Sequence, residues 1–205
     1  MPQRVEADAV SPQAWRNGGG RTRELLCWPS ADTWTVLISL ADIDADGPFS
    51  AFAGVERWFV VVEGAGVALR FADGRREVRA GDAPLRFDGS AAPGCSLLDG
   101  PTRDLNLMLR ASRGVMQPVA AGVEWTAGFD LRALYTQVAG RWSGDGLALD
   151  LPAATLLWSA AAAGAGWRFD PAELRAEGLR AEGLRADGLP APAWWLGANA
   201  HTVAR

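Results

Sequence analysis

The stretch that decides the fold runs Gly47-Pro48-Phe49-Ser50-Ala51-Phe52-Ala53-Gly54-Val55-Glu56-Arg57-Trp58-Phe59-Val60-Val61-Val62-Glu63-Gly64-Ala65-Gly66. It begins with a Gly-Pro turn signal, continues as a run of aromatic and β-branched residues, and stops at a Glu-Gly-Ala-Gly sequence. This pattern predicts a buried β-strand that a tight turn closes. A helix or a linker fits the same residues less well.

Composition limits the classes of protein that this chain can form. With 205 residues it can build one large β-domain or two small ones. The net charge of −4 and the pI near 5.1 disfavour nucleic acid and anionic membrane as partners. The apolar runs are too short for a membrane span, and the N-terminus lacks a signal-peptide pattern. Two cysteines without a nearby partner fit a reduced compartment, so we expect a cytoplasmic protein.

The basic residues and the histidine count exclude several kinds of chemistry. All 20 basic residues are arginines, so the chain has neither a P-loop lysine nor a Schiff-base lysine. The single histidine, His201, is close to the C-terminus. A metal site built from several imidazoles is therefore excluded, and we expect no metal and no other cofactor.

A glycine-rich segment near the N-terminus is the first candidate for a binding loop. Gly18, Gly19 and Gly20 follow Asn17 and precede Thr22 by two residues. Three successive glycines indicate positive φ angles or a close backbone approach. Either the segment is a flexible turn before a strand, or its N–H groups form an anion-binding concavity beside Asn17 and Thr22.

Alternation of residue types predicts further strands in the first half. The segment 34–40 places Trp34 and every second residue after it on an apolar face, and an Asp-Gly pair at 73–74 indicates a hairpin. In the segment 102–110, leucines alternate with Asp104 and Asn106. If that polar face meets solvent, the strand is an ordinary surface strand. If it faces a barrel interior, both polar groups need a partner, for which Arg57 is the candidate.

The second half repeats the pattern of short strands after Arg113. Strand candidates occur at 123–126, 134–139, 147–149, 155–158, 167–169 and 194–196. We therefore predict an all-β fold of two fused β-barrels. Residues 1–112 form the barrel with the pocket, and residues 113–205 form a degenerate barrel that serves for packing or dimerisation, with Trp194 and Trp195 as interface candidates. A leucine pentad repeat at 174–188 predicts a solvated loop insertion spanning 172–189.

Three motifs together carry a resemblance to a known family. They are Trp15-x-Asn17-Gly-Gly-Gly-x-Thr22-Arg23-Glu24, Gly47-x-Phe49-Ser50-x-Phe52-x-Gly54-x-x-Arg57 and Asp104-x-Asn106-x-Met108. On these residues, which span about the first 110 positions, the chain resembles the HutD/Ves family of the cupin superfamily. The resemblance implies a cytoplasmic bacterial bicupin without a catalytic metal. In the cupin motif, Ser50 and Phe52 stand where two histidine ligands are usual, and Arg57 stands where a glutamate is usual.

The resemblance also implies a class of ligand. HutD-like proteins are associated with histidine utilisation, and are thought to bind urocanate or a formylated or formimino glutamate and to limit flux through the pathway. Ves-like proteins are linked to environmental stress without a settled activity. Independently of the family, an arginine in a water-poor barrel presents a planar fork that matches a carboxylate. The candidate ligand-binding residues are Trp15, Asn17, Gly19, Thr22, Phe49, Ser50, Phe52, Arg57, Asp104 and Asn106.

Three functions stay open at this point. The first is a metal-independent protein that binds a small carboxylate metabolite through Arg57. The second is a metal-free isomerase or hydrolase in which Glu24 and Asp104 act as acid and base. The third is a structural or protein-interaction role, which a pocket filled by side chains would favour. For Arg57 itself, the alternative to ligand binding is an internal strut neutralised by Asp104 or Glu24.

Overall fold

The structure, a computed structural model, describes residues 1–160, 164, 166–172 and 192–199. The fold is all-β. Its strands are β1 Gln3–Glu6, β2 Gln13–Ala14, β3 Gly20–Trp28, β4 Val36–Ile43, β5 Gly47–Pro48, β6 Val55–Glu63, β7 Val67–Phe71, β8 Gly74–Val78, β9 Leu85–Asp88, β10 Gly94–Leu97, β11 Thr102–Arg110, β12 Arg113–Pro118, β13 Leu131–Thr136, β14 Gly140–Gly144, β15 Leu147–Leu151, β16 Thr155–Ser159, β17 Arg168–Pro171 and β18 Ala193–Asn199. The pentad repeat and His201 lie outside the described residues. Within the described ranges, no helix is both long and apolar enough to cross a membrane.

The chain forms two compact units. One consists of residues 10–113, and the other combines residues 1–9 with residues 114–199. Strand β1 belongs to the second unit because it pairs antiparallel with β16, from Gln3 opposite Trp158 to Glu6 opposite Thr155. The sequence alone places these first residues with the N-terminal half.

The unit of residues 10–113 is built from two sheets. A six-stranded sheet has the order β2-β3-β4-β11-β6-β9, and a four-stranded sheet has the order β5-β10-β7-β8. Phe59 and Val61 of β6 pack against Val67 and Leu69 of β7 in an apolar core. Among the strands of this unit, the pairing does not close either sheet on itself, so β2 and β9 are edges of the larger sheet.

The strand predicted from the opening stretch is confirmed as β6. Its residues from Phe59 to Val62 are all buried, which explains the unbroken apolar run. The turn that follows requires glycine at two positions: Gly64 has φ +89° and Gly66 has φ +112°. At Gly66 a Cβ atom would lie 2.3 Å from the carbonyl oxygen of Val78, so the turn also depends on a close backbone approach.

Strand β11 is buried on both faces. The leucines at 105, 107 and 109 cover one face and are at most 1% exposed. On the opposite face, Asp104 is fully buried and Asn106 is 1% exposed. The surface-strand alternative is therefore wrong, because the polar face of β11 points into the unit rather than into solvent.

A carboxylate surrounded by three arginines ties together strands β3, β4 and β11. Asp42 Oδ2 accepts from Arg21 Nε at 2.8 Å and from Arg23 Nη1 at 2.7 Å. Its Oδ1 accepts from Arg103 Nε at 2.6 Å. Burial opposes ionisation of Asp42, but the hydrogen bonds from the three arginines prevail and lower its pKa to about 2. The cluster fixes the relative positions of three neighbouring strands.

The Asp42→Asn variant should lose about 2 kcal/mol of unfolding free energy, because three arginines lose their shared anion. The folded-state pKa lies below the unfolded value of 3.8, so this stabilisation is present above pH 4 and disappears as the pH falls toward 2. Urea denaturation of both proteins at pH 7 measures the difference. The matched control, Asp73→Asn, removes an exposed ion pair with Arg76 and should change the stability by less than about 0.5 kcal/mol. Equal effects of the two substitutions would contradict this account.

The second unit also contains two sheets around an apolar core. A five-stranded sheet has the order β1-β16-β13-β18-β12, and a three-stranded sheet has the order β15-β14-β17. Four tryptophans dominate the core: Trp125, Trp142, Trp167 and Trp195. The strand predicted at 123–126 is wrong, since Trp125 forms only an isolated bridge to Trp167.

The proposed interface tryptophans are buried inside this unit. Trp194 is 1% exposed and stacks on Tyr135 at 6.3 Å between ring centroids. Trp195 is 2% exposed and stacks on Trp125 at 5.1 Å. Their assignment to a dimer interface is therefore wrong, because each indole already fills the core of its own chain.

Candidate functional site

A cavity of about 690 Å³ lies within the unit of residues 10–113. Three structural features border it: the face of the six-stranded sheet formed by β3, β4, β6 and β11, the turn between β2 and β3, and the segment after β5. The lining residues are Gln13, Ala14, Trp15, Arg16, Asn17, Thr22, Glu24, Trp34, Leu37, Ser39, Ala41, Pro48, Phe49, Ser50, Phe52, Arg57, Asn106 and Met108. The cavity has the size of a site for a small metabolite.

Strand register decides which side chains of the sheet reach the cavity. On β4 every second residue lines it, namely Leu37, Ser39 and Ala41. Asn106 of β11 lies directly opposite Ser39, and Glu24 of β3 lies opposite Ser39 on the other side. The sheet therefore presents a polar row, Glu24–Ser39–Asn106, across three adjacent strands.

Arg57 is the only arginine of the described residues that is both buried and lines this cavity. It is 6% exposed, and its Nε donates to Asn106 Oδ1 at 2.8 Å. Neither Nη1 nor Nη2 donates to a residue that the structure describes. The guanidinium carbon lies 4.4 Å from the ring centroid of Phe49 and 5.5 Å from that of Phe87. Aromatic rings thus hold the guanidinium while two of its nitrogens stay available to a ligand.

A hydrogen-bonded chain leads from Arg57 to a carboxyl group behind the cavity wall. Asn106 accepts from Arg57 through Oδ1 and donates through Nδ2 to Asp104 Oδ1. Asp104 is fully buried, and its Oδ2 atom has no hydrogen-bond partner among the described residues. Arg57 and Asp104 make no direct hydrogen bond, so Asn106 connects the two charges.

Burial shifts the pKa values of Asp104 and Arg57, the two ends of this hydrogen-bonded series. It raises the pKa of Asp104 to about 7, although the charge of Arg57 and the hydrogen bond from Asn106 act in the opposite direction. Burial also lowers the pKa of Arg57 to about 10, which the charge of Asp104 partly offsets. At neutral pH the guanidinium is therefore charged, whereas the carboxyl group is close to its midpoint of ionisation.

The glycine-rich segment forms a tight turn that positions two lining side chains. Trp15 Nε1 donates to Thr22 Oγ1 at 2.8 Å, and the N–H of Gly19 donates to Asn17 Oδ1 at 3.1 Å. The N–H of Gly18 donates to the carbonyl oxygen of Trp15 at 3.0 Å. The proposed anion-binding concavity is therefore wrong for these two N–H groups, because both already bond within the turn.

Most residues predicted for the site surround the cavity. Those that line it are Trp15, Asn17, Thr22, Phe49, Ser50, Phe52, Arg57 and Asn106. Gly19 and Asp104 do not line it. Gly19 orients Asn17 through its backbone N–H, and Asp104 acts on Arg57 through Asn106.

Several lining residues were not predicted from the sequence. The polar ones are Ser39 at 2% exposure, Gln13 and the exposed Arg16. Ser39 was detectable, because a strand with apolar residues at 36, 38 and 40 turns residue 39 to the opposite face. Arg16 lies in a turn, where no periodicity shows the direction of a side chain.

The second unit contains a buried polar cluster that the sequence did not reveal. Arg132 is 2% exposed, and its Nη2 lies 3.0 Å from Asp145 Oδ2. The same carboxylate oxygen accepts from Trp167 Nε1 at 2.9 Å, and the guanidinium of Arg132 covers the ring of Trp167 at 4.7 Å. These contacts neutralise the buried arginine, and they form an internal ion pair rather than a cavity wall.

The fold defines the class of protein first, an all-β protein, and two solved structures share that fold. A conserved protein of unknown function from Pseudomonas aeruginosa PAO1 matches with a TM-score of 0.82 at 26% identity, covering 98% of this chain and all of that one. HutD from Pseudomonas fluorescens SBW25 matches with a TM-score of 0.79 at 21% identity, covering 97% and 98% of the two chains, and this likeness concerns the fold.

The family follows from the sequence comparison. The HutD family model matches residues 7–143, so the chain belongs to the HutD family. It is 37% identical over 103 residues to the protein Ves of Citrobacter koseri, covering 48% of this chain and 53% of that protein. It is 36% identical over 115 residues to an uncharacterized 21.2 kDa protein in the hutC 3′ region of Pseudomonas putida, covering 54% and 60%. The similarity thus spans little more than half the length of these two relatives.

Proposed function

We propose that this protein binds a small carboxylate metabolite through the guanidinium of Arg57. The proposal rests on the observation that the nitrogens of this side chain differ in their hydrogen bonding. Its Nε is held by Asn106, whereas Nη1 and Nη2 donate to no described residue, and the side chain lines the cavity. Two parallel N–H donors match the two oxygens of a carboxylate.

The rest of the cavity fits a metabolite with a polar end and an apolar body. Phe49, Phe52 and Trp15 supply aromatic walls, and Asn17 and Thr22 supply neutral hydrogen-bonding groups. Such a combination is typical of sites in which apolar walls provide most of the contact and a few polar groups fix the orientation.

We further propose that binding does not depend on a metal. Ser50, Phe52 and Arg57 occupy the positions of the metal ligands in the cupin motif, and all three line the cavity. A phenyl ring cannot coordinate a metal ion, and a guanidinium repels a cation, so these residues do not fit a metal centre. Among the residues that the structure describes, no three His, Cys, Asp or Glu side chains gather at one place.

The proposal includes a bicupin architecture and a role in histidine utilisation. Two units, each with two sheets around its own apolar core, support a two-part architecture. Two cupin-like barrels, of which the second is degenerate, stay a prediction, since the strand pairing of residues 10–113 closes neither sheet. Membership of the HutD family and the similarity to a protein from a hutC 3′ region support a link to histidine utilisation. A HutD-like regulatory role and a cytoplasmic location stay predictions. The expected ligand class is urocanate or a formyl or formimino glutamate, and homodimer formation stays a prediction.

The alternative of a metal-free enzyme has less support. In that reaction Glu24 and Asp104 would act as acid and base, yet Asp104 does not line the cavity. Asn106 stands between its carboxyl group and Arg57, and Asn106 cannot relay a proton as a carboxyl or an imidazole does. The raised pKa of Asp104 is better explained as a consequence of burial at the back of a binding site.

Isothermal titration calorimetry with urocanate, N-formylglutamate and N-formiminoglutamate tests the proposal. We expect at least one of them to bind with a Kd below about 1 mM at pH 6.5 and with one site per chain. The control is the methyl ester of urocanate, which keeps the ring and removes the carboxylate charge, and which should not bind. Absence of heat for every carboxylate, or equal binding of acid and ester, would contradict the proposed function.

A further inference from the structure

The polar row Glu24–Ser39–Asn106 continues from the Arg57 region toward the rim of the cavity. Antiparallel pairing places Glu24 opposite Ser39, and Ser39 opposite Asn106, so the three side chains lie in one line across β3, β4 and β11. All three line the cavity. Neighbouring strands are about 4.8 Å apart, so the Cα atoms at the two ends of the row are separated by about 10 Å.

The acidic end of this row has no cationic partner in the protein. Among the described residues, the carboxylate of Glu24 accepts one hydrogen bond, from Cys27 Sγ at 3.5 Å, and it forms no ion pair. Glu24 is an exposed residue, so its charge is solvated when no ligand is bound. A cavity-lining carboxylate of this kind is an acceptor for a positively charged group.

The middle of the row is also open to a ligand. Ser39 is 2% exposed and lines the cavity, and its hydroxyl makes no hydrogen bond to any residue in the described ranges. Its neighbours on the same strand, Leu37 and Ala41, offer no polar group. A buried hydroxyl without a partner gains from a ligand donor, because an unpaired buried polar group carries a cost.

From this arrangement we propose that Glu24 and Ser39 form a second subsite, which recognises a protonated nitrogen group. The ligand is then a carboxylic acid that carries an amino, amidine or imidazolium group at its other end. Its carboxylate binds Arg57, and its cationic nitrogen lies along the row toward Glu24. This inference rests on the proposed function, and it names the substrate class of the same site.

The competing residue at the rim is Arg16, which lines the cavity and would favour a dicarboxylate instead. Arg16 lies in the turn between β2 and β3, and its position is not tied to Asn106 by strand pairing. Glu24 is held in register with Ser39 by the ladder between β3 and β4. The structure therefore favours a ligand with a cationic group at the rim over a ligand with a second carboxylate there.

Calorimetric titration with three matched series of probes tests this subsite. The ω-amino acids 4-aminobutyrate, 5-aminopentanoate and 6-aminohexanoate are compared with butyrate, pentanoate and hexanoate, and with the diacids glutarate and adipate. We expect the best ω-amino acid to bind about fivefold more tightly than its plain counterpart, the size expected for an ion pair near a surface. The Glu24→Gln variant should abolish this preference, so that amino and plain acids of equal length bind with equal affinity.

Two further variants complete the design. Ser39→Ala should reduce the preference for the ω-amino acid, and Asp32→Asn removes an exposed acid that does not line the cavity and should leave every affinity unchanged. Equal affinities for amino and plain acids, or tighter binding of diacids that Arg16→Gln abolishes, would overturn the subsite while the proposed function stands. If none of the carboxylates binds, the proposed function fails together with the subsite.

Discussion

Binding of small carboxylates should be weakened about 100-fold in the Arg57→Met variant, and by a smaller factor in Arg57→Lys. Methionine removes the charge and both free N–H donors, whereas lysine retains a charge without the planar fork. A loss of about 100-fold corresponds to about 2.7 kcal/mol, which is the size expected for a charge-assisted pair in a partly enclosed site. Calorimetry with the tightest carboxylate ligand of the wild-type protein provides the measurement.

Arg57 also compensates the buried Asp104, so its removal threatens the fold as well as the site. The double variant Arg57→Met/Asp104→Asn removes both charges and avoids a buried carboxylate without its nearby cation. Arg86→Gln serves as the control, because Arg86 is exposed and lies outside the cavity lining. A folded double variant that binds carboxylates as tightly as the wild type would show that Arg57 does not hold the ligand.

Strong local patterns explain the parts of the fold that the sequence predicted. The unbroken apolar run before Gly64 gave a buried strand, and the Asp-Gly pair at 73–74 correctly marked the hairpin between β7 and β8. The alternation in β11 correctly separated its leucines from Asp104 and Asn106. In each of these segments, the order of residue types shows which face of the strand is buried.

Long-range pairing explains what the sequence could not show. Nothing in Gln3–Glu6 indicates that this strand pairs with residues 155–158, because the partner is some 150 positions away in the chain. Trp125 reads as part of a strand, but its backbone forms a single bridge and its indole fills the core. Arg132 carries no local sign that Asp145 will neutralise it, since that contact depends on how β13 and the turn after β14 come together.

The candidate site shows the same division between local pattern and tertiary contact. The pairing of Arg57 with Asn106 was predicted from the need of buried polar groups for partners. The sequence did not show that Asn106 would stand between Arg57 and Asp104, nor that Ser39 would join Glu24 and Asn106 in one row. Both relations depend on strand register, which alternation alone does not determine between distant segments.

The affinity for a carboxylate ligand should fall about tenfold as the pH rises from 6 to 8. Below its pKa of about 7, Asp104 is neutral and leaves the charge of Arg57 to the ligand. Above that pH the Asp104 carboxylate repels the anion and competes for the guanidinium, so binding requires uptake of a proton. The upper limit for one proton is a tenfold change in affinity per pH unit. Arg57, with a pKa of about 10, stays charged throughout this range.

The sign of this dependence distinguishes Asp104 from the ligand's own titration. The probe for this test is a plain acid such as pentanoate, because a ligand nitrogen that loses its proton near neutral pH would weaken binding with the same sign as Asp104. The carboxyl group of the probe ionises below pH 5, so its titration strengthens binding as the pH rises, opposite to the effect of Asp104. Calorimetry between pH 5.5 and 8.5, in buffers of different ionisation enthalpy, gives both the affinity and the number of protons taken up. In the Asp104→Asn variant the affinity should be independent of pH over this range, because asparagine preserves the acceptor for Asn106 and does not titrate. A wild-type affinity that rises with pH, or an unchanged slope in the variant, would show that the Asp104 carboxyl group is not coupled to the ligand through Asn106.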